Sequence, residues 1–300
     1  MASSDGSNRC WSKVGNQILI LVFGKTGQIA TELRHLNGVI SLGREDADLS
    51  DPKVCANAIL LHTPRAVINA AAYTSVDKAE DEERLATVIN AEAPTLMAET
   101  CAALGIPFIH ISTDYVFEGT GVAPWTFDCP TAPQNAYGRS KEAGEVGVRN
   151  SGAIHAILRV SWVVSAHRKN FVKTMLYLSG NCNSLNVVAD QIGGPTPARD
   201  VAVACFQIAE QLIQHPSKSG TYHFSGAPDV SWAEFATQIL NQAGRSVTVT
   251  PIPTTDYPTP AKRPLNSRMD CRVTEQVFGI ARPDWRKGLE LILKELGLIV

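Results

Sequence analysis

The stretch QILILVFGKTGQIATEL, Gln17 to Leu33, decides how the whole chain is read. Its first half, QILILVF, is an apolar run of strand length, which predicts a buried strand. Gly24 to Gly27 then turn the chain into a helix expected to run to about Leu36. A strand without a polar alternate face belongs to a parallel sheet covered on both sides. Gly24, Gly27 and Ala30 fall at the spacing G-x-x-G-x-x-A. At a first strand-to-helix turn, Gly24 would permit the tight turn and Gly27 a close backbone approach to a pyrophosphate. The small Ala30 would let helix and strand pack closely. Amides at the helix start would then face the phosphates. The spacing meets the G-x-G-x-x-G fingerprint only in part. A glycine turn that binds nothing is the alternative.

Outward from this stretch the same rhythm repeats. GVISL (Gly38–Leu42) predicts a second strand, and DPKVCANAILLH (Asp51–His62) a helix with Asp51 as cap and Pro52 at its first position. RAVINAAA (Arg65–Ala72) predicts a third strand; Glu82 to Leu104 reads as one helix closed by Gly105 and Pro107. PFIHIST (Pro107–Thr113) and AIHAILRVSW (Ala153–Trp162) predict strands four and five, with a helix from Tyr137 between them. Apolar strands alternating with helices give the α/β class, a doubly wound parallel sheet of Rossmann type. After Trp162 the rhythm loosens, and the proline-rich stretch Thr250 to Arg268 reads as neither regular sheet nor helix. The expected organisation is a disordered extension over 1–17 and a dinucleotide-binding domain over 18–160. Residues 197–215 would return to that domain, and 161–300 would otherwise form a smaller C-terminal substrate-binding domain.

Composition narrows the functions. A formal net charge of −2 with 19% charged residues gives no bulk attraction to nucleic acid or to an anionic membrane. The longest apolar runs fall far short of the ~20 residues of a membrane span, and the polar start lacks the apolar core of a signal peptide. Seven scattered cysteines without a C-x-x-C pair suggest reduced thiols in a cytoplasm, and no ladder of ligands suggests a metal.

Two further stretches carry chemistry. IHISTDYVFEG ends the fourth strand with Ser112, Thr113 and Asp114. Ligands of such sheets bind beyond the carboxyl ends of the strands, where these hydroxyls are expected in the cleft; local capping is the structural alternative. QNAYGRSKEAGE (Gln134–Glu145) then sets Tyr137 and Lys141 four residues apart, on one helix face. Reduction of a ketone builds negative charge on oxygen, which must take up a proton. A free phenol, with a pKa of ~10, is a reluctant donor. A nearby ammonium would lower that pKa, and a threonine hydroxyl could support the oxyanion. After the second strand, Gly43 and Arg44 stand where an acid would hold a ribose hydroxyl, with Asp46 and Asp48 beyond. Arginine favours a 2′-phosphate, hence NADPH with NADH tolerated; a solvated surface charge is the alternative.

Taken in order, LVFGKTGQIATEL, NAAAYTSVDKAE (Asn69–Glu80), STDYVFEGTG, NAYGRSKEAGE, LRVSWVV, DQIGGPTPARD (Asp190–Asp200) and YPTPAKRPLNSR (Tyr257–Arg268) resemble the dTDP-4-dehydrorhamnose reductases, extended short-chain dehydrogenases. The resemblance implies an NADPH-dependent reduction of a 4-keto nucleotide sugar in the cytoplasm, by a monomer or homodimer. It makes Thr113, Tyr137 and Lys141 the catalytic set, with Tyr137 and Lys141 also on the cofactor, where Lys141 would hold a ribose hydroxyl. Gly24, Lys25, Thr26, Gly27, Gln28 and Ile29 would form the dinucleotide loop, with Asp48 and Leu49 near the adenine and Ala70, Ala71 and Ala72 along the cofactor. Thr74, Val76, Asp114 and Trp162 would meet the sugar nucleotide. Some family members have a metal-bridged dimer built on a glutamate of the first helix and an acidic pair in the PTPARD region. Glu32 matches the first, but Arg199 replaces one acid and leaves Asp200 alone, so no structural magnesium is expected. Two competing readings remain, a sugar-nucleotide epimerase or dehydratase and a non-catalytic relative like the regulatory subunit of methionine adenosyltransferase. The intact Thr/Tyr/Lys set favours an enzyme.

Arg263 and Arg268 are candidates for a substrate diphosphate, or else a solvated basic loop. His110, on an apolar strand, reads as a core histidine rather than a base. DQIGGPT reads as a tight turn at the cleft between the two parts.

Overall fold

The structure, a computed structural model, describes residues 19–300; the expectation for residues 1–17 lies outside them. The first half lays down β1 (Ile20–Phe23), α1 (Gln28–Leu33), β2 (Val39–Leu42), α2 (Pro52–His62) and β3 (Ala66–Asn69). It continues with α3 (Glu83–Thr87), α4 (Ala93–Leu104), β4 (Phe108–Thr113), α5 (Ala136–Asn150) and β5 (His155–Val160). From one edge the sheet runs Gly220–Phe224, β5, β4, β3, β1, β2, and every pairing is parallel. The direction of winding reverses between β1 and β3. The carboxyl ends of those two strands therefore frame the crevice where such a sheet receives its ligand.

Alternation along β1 explains why its sequence is apolar throughout. Ile20 and Val22 pack on one face with Leu158 and with Val201, Ile208 and Leu212 of the helix Ala198–Gln214. Leu21 and Phe23 pack on the other with Ile59 of α2 and Met97 of α4. Each such side chain, fully buried, stabilises the fold by about 1.5–3 kcal/mol. A third core, around Val172, Phe235, Ile239, Trp285 and Leu293, gathers the helices of the C-terminal half.

Three elements differ from expectation. α1 stops at Leu33, because the bonds His35 N–H to Glu32 and Leu36 N–H to Leu33 tighten its last turn before Gly38. The single helix expected over Glu82–Leu104 contains a π-helical stretch at Val88–Glu92. Pro94, which has no N–H to give to the preceding turn, follows it at once. The widened turn aims Asn90 sideways. Its amide accepts from Tyr73 N–H at 2.8 Å and donates to Ser140 of α5 at 2.9 Å. The proline-rich stretch was expected to lack regular structure, yet it yields the strand Thr248–Ile252, paired in parallel with Ser184–Val188, and the short strand Asn266–Ser267. Pro251 is tolerated because this two-stranded pair leaves it exposed at an edge.

Candidate active site

At the crevice the glycine turn closes against the end of β3. Gly24 has φ +114°, and a Cβ there would stand 3.2 Å from Ala30 Cβ and 3.3 Å from the Ala70 carbonyl. A side chain is thus excluded by conformation and by space together. Lys25 pairs with Glu45 at 2.9 Å across the mouth of the turn. Gln28 points away into the structure: its amide donates to the Val163 carbonyl at 3.1 Å and accepts from Ser165 at 2.8 Å. Arg44 extends into solvent, loosely paired with Asp48 Oδ2 at 3.8 Å. Leu49 is buried beside it, while Ala70 and Ala72 stay accessible along the chain leaving β3.

β4 and α5 bring the reactive groups to the same edge. Asn135 caps α5 by accepting from Gly138 N–H at 2.8 Å, which fixes where the helix begins and so where Tyr137 and Lys141 point. Thr113 lies beside the Tyr137 phenol, and Tyr115 meets that ring edge-on with centroids 5.5 Å apart. Burial pushes the phenol above its ordinary pKa, and the Thr113 hydroxyl opposes the rise. The ammonium was expected to pull the phenol down. Instead Lys141 Nζ turns back to donate to the Ile111 carbonyl at 2.7 Å, with His110 Nε2 at 3.3 Å. Burial lowers this lysine to about 8, and Glu145 one turn along the helix pulls it back up.

The expected triplet at the end of β4 divides. Ser112 leaves the cleft, since its hydroxyl donates to Glu145 at 2.6 Å. Thr113 both caps the next turn, accepting from Tyr115 N–H at 3.2 Å, and faces the phenol. Asp114 is buried; Oδ1 accepts from Thr113 at 3.1 Å, while Oδ2 and the neighbouring Ser267 hydroxyl have no partner among the described residues. Burial raises this carboxyl to about 6, and the Thr113 hydrogen bond opposes the rise. A carboxyl raised on folding contributes stability below its unfolded value near 3.8 that is lost as pH climbs through about 6. Asp114→Asn is therefore expected to stabilise the protein above that pH by about 2–3 kcal/mol, with little change at pH about 4. Thermal unfolding across pH checks this, and an equal shift at every pH would count against it.

The expected substrate residues each have their own setting. Trp162 takes the unusual φ of +47° and stacks on Trp232, centroids 3.5 Å apart and planes 10° from parallel. Gly193 makes room for its indole. Thr74 is exposed and Val76 half-buried on the loop after β3. Arg263 is not a free cation, because Asp77 accepts from its guanidinium at 2.7 Å. Arg268 donates to Asn266 at 3.1 Å. His110 is buried in its strand as expected, while Asn69, Ser267 and the contact of His110 with Lys141 were missed. Asn69, His110 and Ser267 are polar and wholly enclosed, and the Asn69–His110 and His110–Lys141 contacts span 41 and 31 residues of chain.

Glu32, the residue matched to the family's metal-bridged dimer, accepts from His167 Nε2 at 3.1 Å, and Glu295 stands 3.5 Å from the same nitrogen. Asp200 is raised by burial, Arg199 pulls it down, and Glu32 adds to the rise.

A parallel sheet with a glycine turn at its point of reversal defines the doubly wound dinucleotide-binding class. Within that class the comparisons are specific. The family described as RmlD substrate binding domain matches residues 18–298. A dTDP-4-dehydrorhamnose reductase of Sinorhizobium fredii (strain NBRC 101917 / NGR234) is 42% identical over 279 residues, covering 90% of this chain and 94% of that one. One from Escherichia coli (strain K12) is 37% identical over 291 residues, 92% and 97% of the two chains. The crystal structure of a Bacillus anthracis dTDP-4-dehydrorhamnose reductase in complex with NADP has a TM-score of 0.86 at 34% identity, covering 93% of this chain and 99% of that one. The chain belongs to the RmlD family, that of the dTDP-4-dehydrorhamnose reductases.

Proposed function

We propose that this protein reduces dTDP-4-dehydro-6-deoxy-L-mannose to dTDP-L-rhamnose, with NADPH preferred and NADH tolerated. The observation that carries this reading is the Thr113, Tyr137 and Lys141 set beside the sheet's point of reversal, in a chain of this family. The cradle at Gly24 fits a dinucleotide, since it holds backbone open where any side chain would fill it. The backbone of Gly24, Lys25, Thr26, Gly27, Gln28 and Ile29 would hold the pyrophosphate, Asp48 and Leu49 the adenosine side, and Ala70, Ala71 and Ala72 the run toward the reacting end. NADPH, when bound, supplies the hydride that reaches C4 of the sugar. Thr113 donates a hydrogen bond to the oxygen that becomes negative, and Tyr137 passes its phenolic proton to that oxygen. Lys141 then restores the proton to the phenolate. Thr74, Val76, Asp114, Trp162 and Arg268 line the sugar-nucleotide side. Arg263, tied to Asp77, contributes by anchoring the loop.

A coupled assay tests the reading: dTDP-4-keto-6-deoxyglucose with its 3,5-epimerase, this protein and NADPH, followed by absorbance. Stoichiometric loss of NADPH is expected. A steady signal would remove the substrate assignment and leave the fold untouched. A redox-neutral epimerase or dehydratase would release no stoichiometric NADP⁺.

Arg44→Ala should raise the Michaelis constant for NADPH about tenfold relative to that for NADH, the value of one charge-assisted hydrogen bond. An unchanged ratio would show that Arg44 does not read the 2′-phosphate. The division of labour we propose keeps residues 18–160 and 197–215 for the dinucleotide and most of 161–300 for the sugar. The enzyme works in the cytoplasm as a monomer or homodimer without structural magnesium, Arg199 opposing a cation beside Glu32 and Asp200. Light scattering should give the same mass with magnesium and with chelator; a magnesium-dependent increase would overturn this.

A further inference from the structure

His110 is wholly buried on β4, and the mechanism above gives it no task. Its surroundings fix its chemistry. Asn69 Oδ1 is committed to Ala71 N–H at 3.2 Å, so the amide end that faces the ring is Nδ2, a donor. His110 Nδ1, 3.3 Å away, must accept that bond. The single proton of the neutral ring then sits on Nε2. Nε2 in turn faces Lys141 Nζ at 3.3 Å. An ammonium has no lone pair to receive an N–H, whereas an amine has one. The other bond of the lysine, to the Ile111 carbonyl at 2.7 Å, serves both forms.

We propose that Asn69 and His110 are positioning residues: the amide fixes the imidazole tautomer, and the imidazole N–H opposes the ammonium form of Lys141, so that the lysine exchanges its proton during turnover instead of standing as a permanent cation. The inference rests on the reductase reading above. The proton that Tyr137 gives to the new hydroxyl is replaced from the Lys141 ammonium. The amine left behind accepts the His110 N–H, and solvent returns the proton to the lysine. His110 itself neither gains nor loses one. Burial and then the neighbouring lysine hold its pKa far below the ordinary histidine value, which keeps the ring neutral.

The other charged groups set the balance against which the imidazole acts. On α5, Tyr137 lies one turn before Lys141 and Glu145 one turn after it. Glu145 favours the ammonium, but it also accepts from Arg159 of β5 at 2.7 Å and from Arg149 at 3.0 Å. Its charge is therefore largely committed elsewhere. β4 contributes His110 alone among titrating side chains within bonding reach of Nζ. The pair also links two sides of the site. Ala71, in the segment proposed to run along the dinucleotide, bonds Asn69, so a displacement there reaches the lysine through Asn69 and His110.

The test has a spectroscopic arm and a kinetic arm. In protein labelled with ¹⁵N-histidine, the His110 ring, assigned by its loss in His110→Gln, should carry its proton on Nε2 from about pH 6 to about pH 9. A proton on Nδ1 would overturn the proposal. The titration of Lys141 is then followed by NMR of its ε-carbon, which needs no substrate. Asn69→Asp should draw the ring proton to Nδ1 and turn the Nε2 lone pair toward the lysine, raising the midpoint by about one pH unit. His110→Leu adds no charge and removes the opposing N–H, so it should raise the midpoint as well. The alkaline limb of kcat should follow in both variants. A kcat lowered equally at every pH, with the lysine midpoint unmoved or lowered, would make the pair structural only. Absence of turnover in the wild type would defeat the functional reading, while the two NMR results would still decide the tautomer and its effect on the lysine.

Discussion

Tyr137→Phe is expected to lower kcat by about 10²-fold or more, the usual scale of a general acid, while cofactor binding changes little. The substitution removes one oxygen from a ring whose position is set by other contacts: the Asn135 cap, the edge of Tyr115 and the Ser140 hydroxyl bonded to the Tyr137 carbonyl at 2.7 Å. Phenylalanine can therefore occupy the same place, and what is lost is the proton. Burial holds the phenol above its ordinary pKa, so Tyr137 stays protonated well into alkaline solution. The alkaline limb of kcat in the wild type is therefore expected to follow Lys141, which burial lowers to about 8, rather than the tyrosine. Activity should be complete below that value and fall as the lysine loses its proton. Wild-type turnover in Tyr137→Phe would sink the mechanism. A limb first appearing far above the lysine value would remove Lys141 as the source of the replacement proton.

The second large effect is on stability. Glu145 is fully enclosed and accepts from Arg159 at 2.7 and 2.9 Å, from Arg149 at 3.0 Å and from Ser112 at 2.6 Å. Burial raises its carboxyl, but these donors outweigh burial and leave it below the ordinary value. Glu145→Leu would strand the Arg159 guanidinium, buried, with only the Phe127 carbonyl and the His223 ring as polar neighbours. Removing one partner of such a pair costs about 3–5 kcal/mol. In a chain of this size that lowers Tm by on the order of 10 °C. Replacing both partners, with Glu145→Leu and Arg159→Met together, should recover much of the loss, because no uncompensated charge remains. A double variant no more stable than the single one would show that the cost lies in packing rather than in charge. Lys141 offers an internal check, since the loss of Glu145 should move its titration downward.

Which parts of this could be read in the sequence follows from where each determinant lies. The strand QILILVF is apolar throughout because both faces of β1 are covered, and that is visible locally. So is the glycine turn, whose geometry is set by residues three apart. Thr113, Tyr137 and Lys141 sit at element ends that the alternation of strand and helix places on one edge. The Lys141 environment is different, because Asn69 and His110 lie 41 residues apart and His110 and Lys141 another 31. Nothing local marks an asparagine at the end of β3 as the group that chooses a histidine tautomer. Ser112 could not be told from Thr113 by position alone; it turns inward because Glu145 and Arg159 wait there. Arg263 reads as a free cation until the fold brings Asp77 against it, 186 residues away. Pro251 misled for the opposite reason. Its local penalty is real, but an exposed edge strand tolerates it.

The stacked indoles of Trp162 and Trp232 give the molecule an optical consequence. Two stacked chromophores in van der Waals contact couple their transition dipoles, and where those dipoles are oblique in their planes the pair is expected to give a circular-dichroism couplet. One ring hangs from the backbone just beyond β5 in a left-handed conformation, and the other opens the helix Trp232–Gln242, in the C-terminal half. Any ligand that pries the rings apart rewrites that signal. The chain thus carries its own optical report on the contact between the segment leaving β5 and the helix Trp232–Gln242.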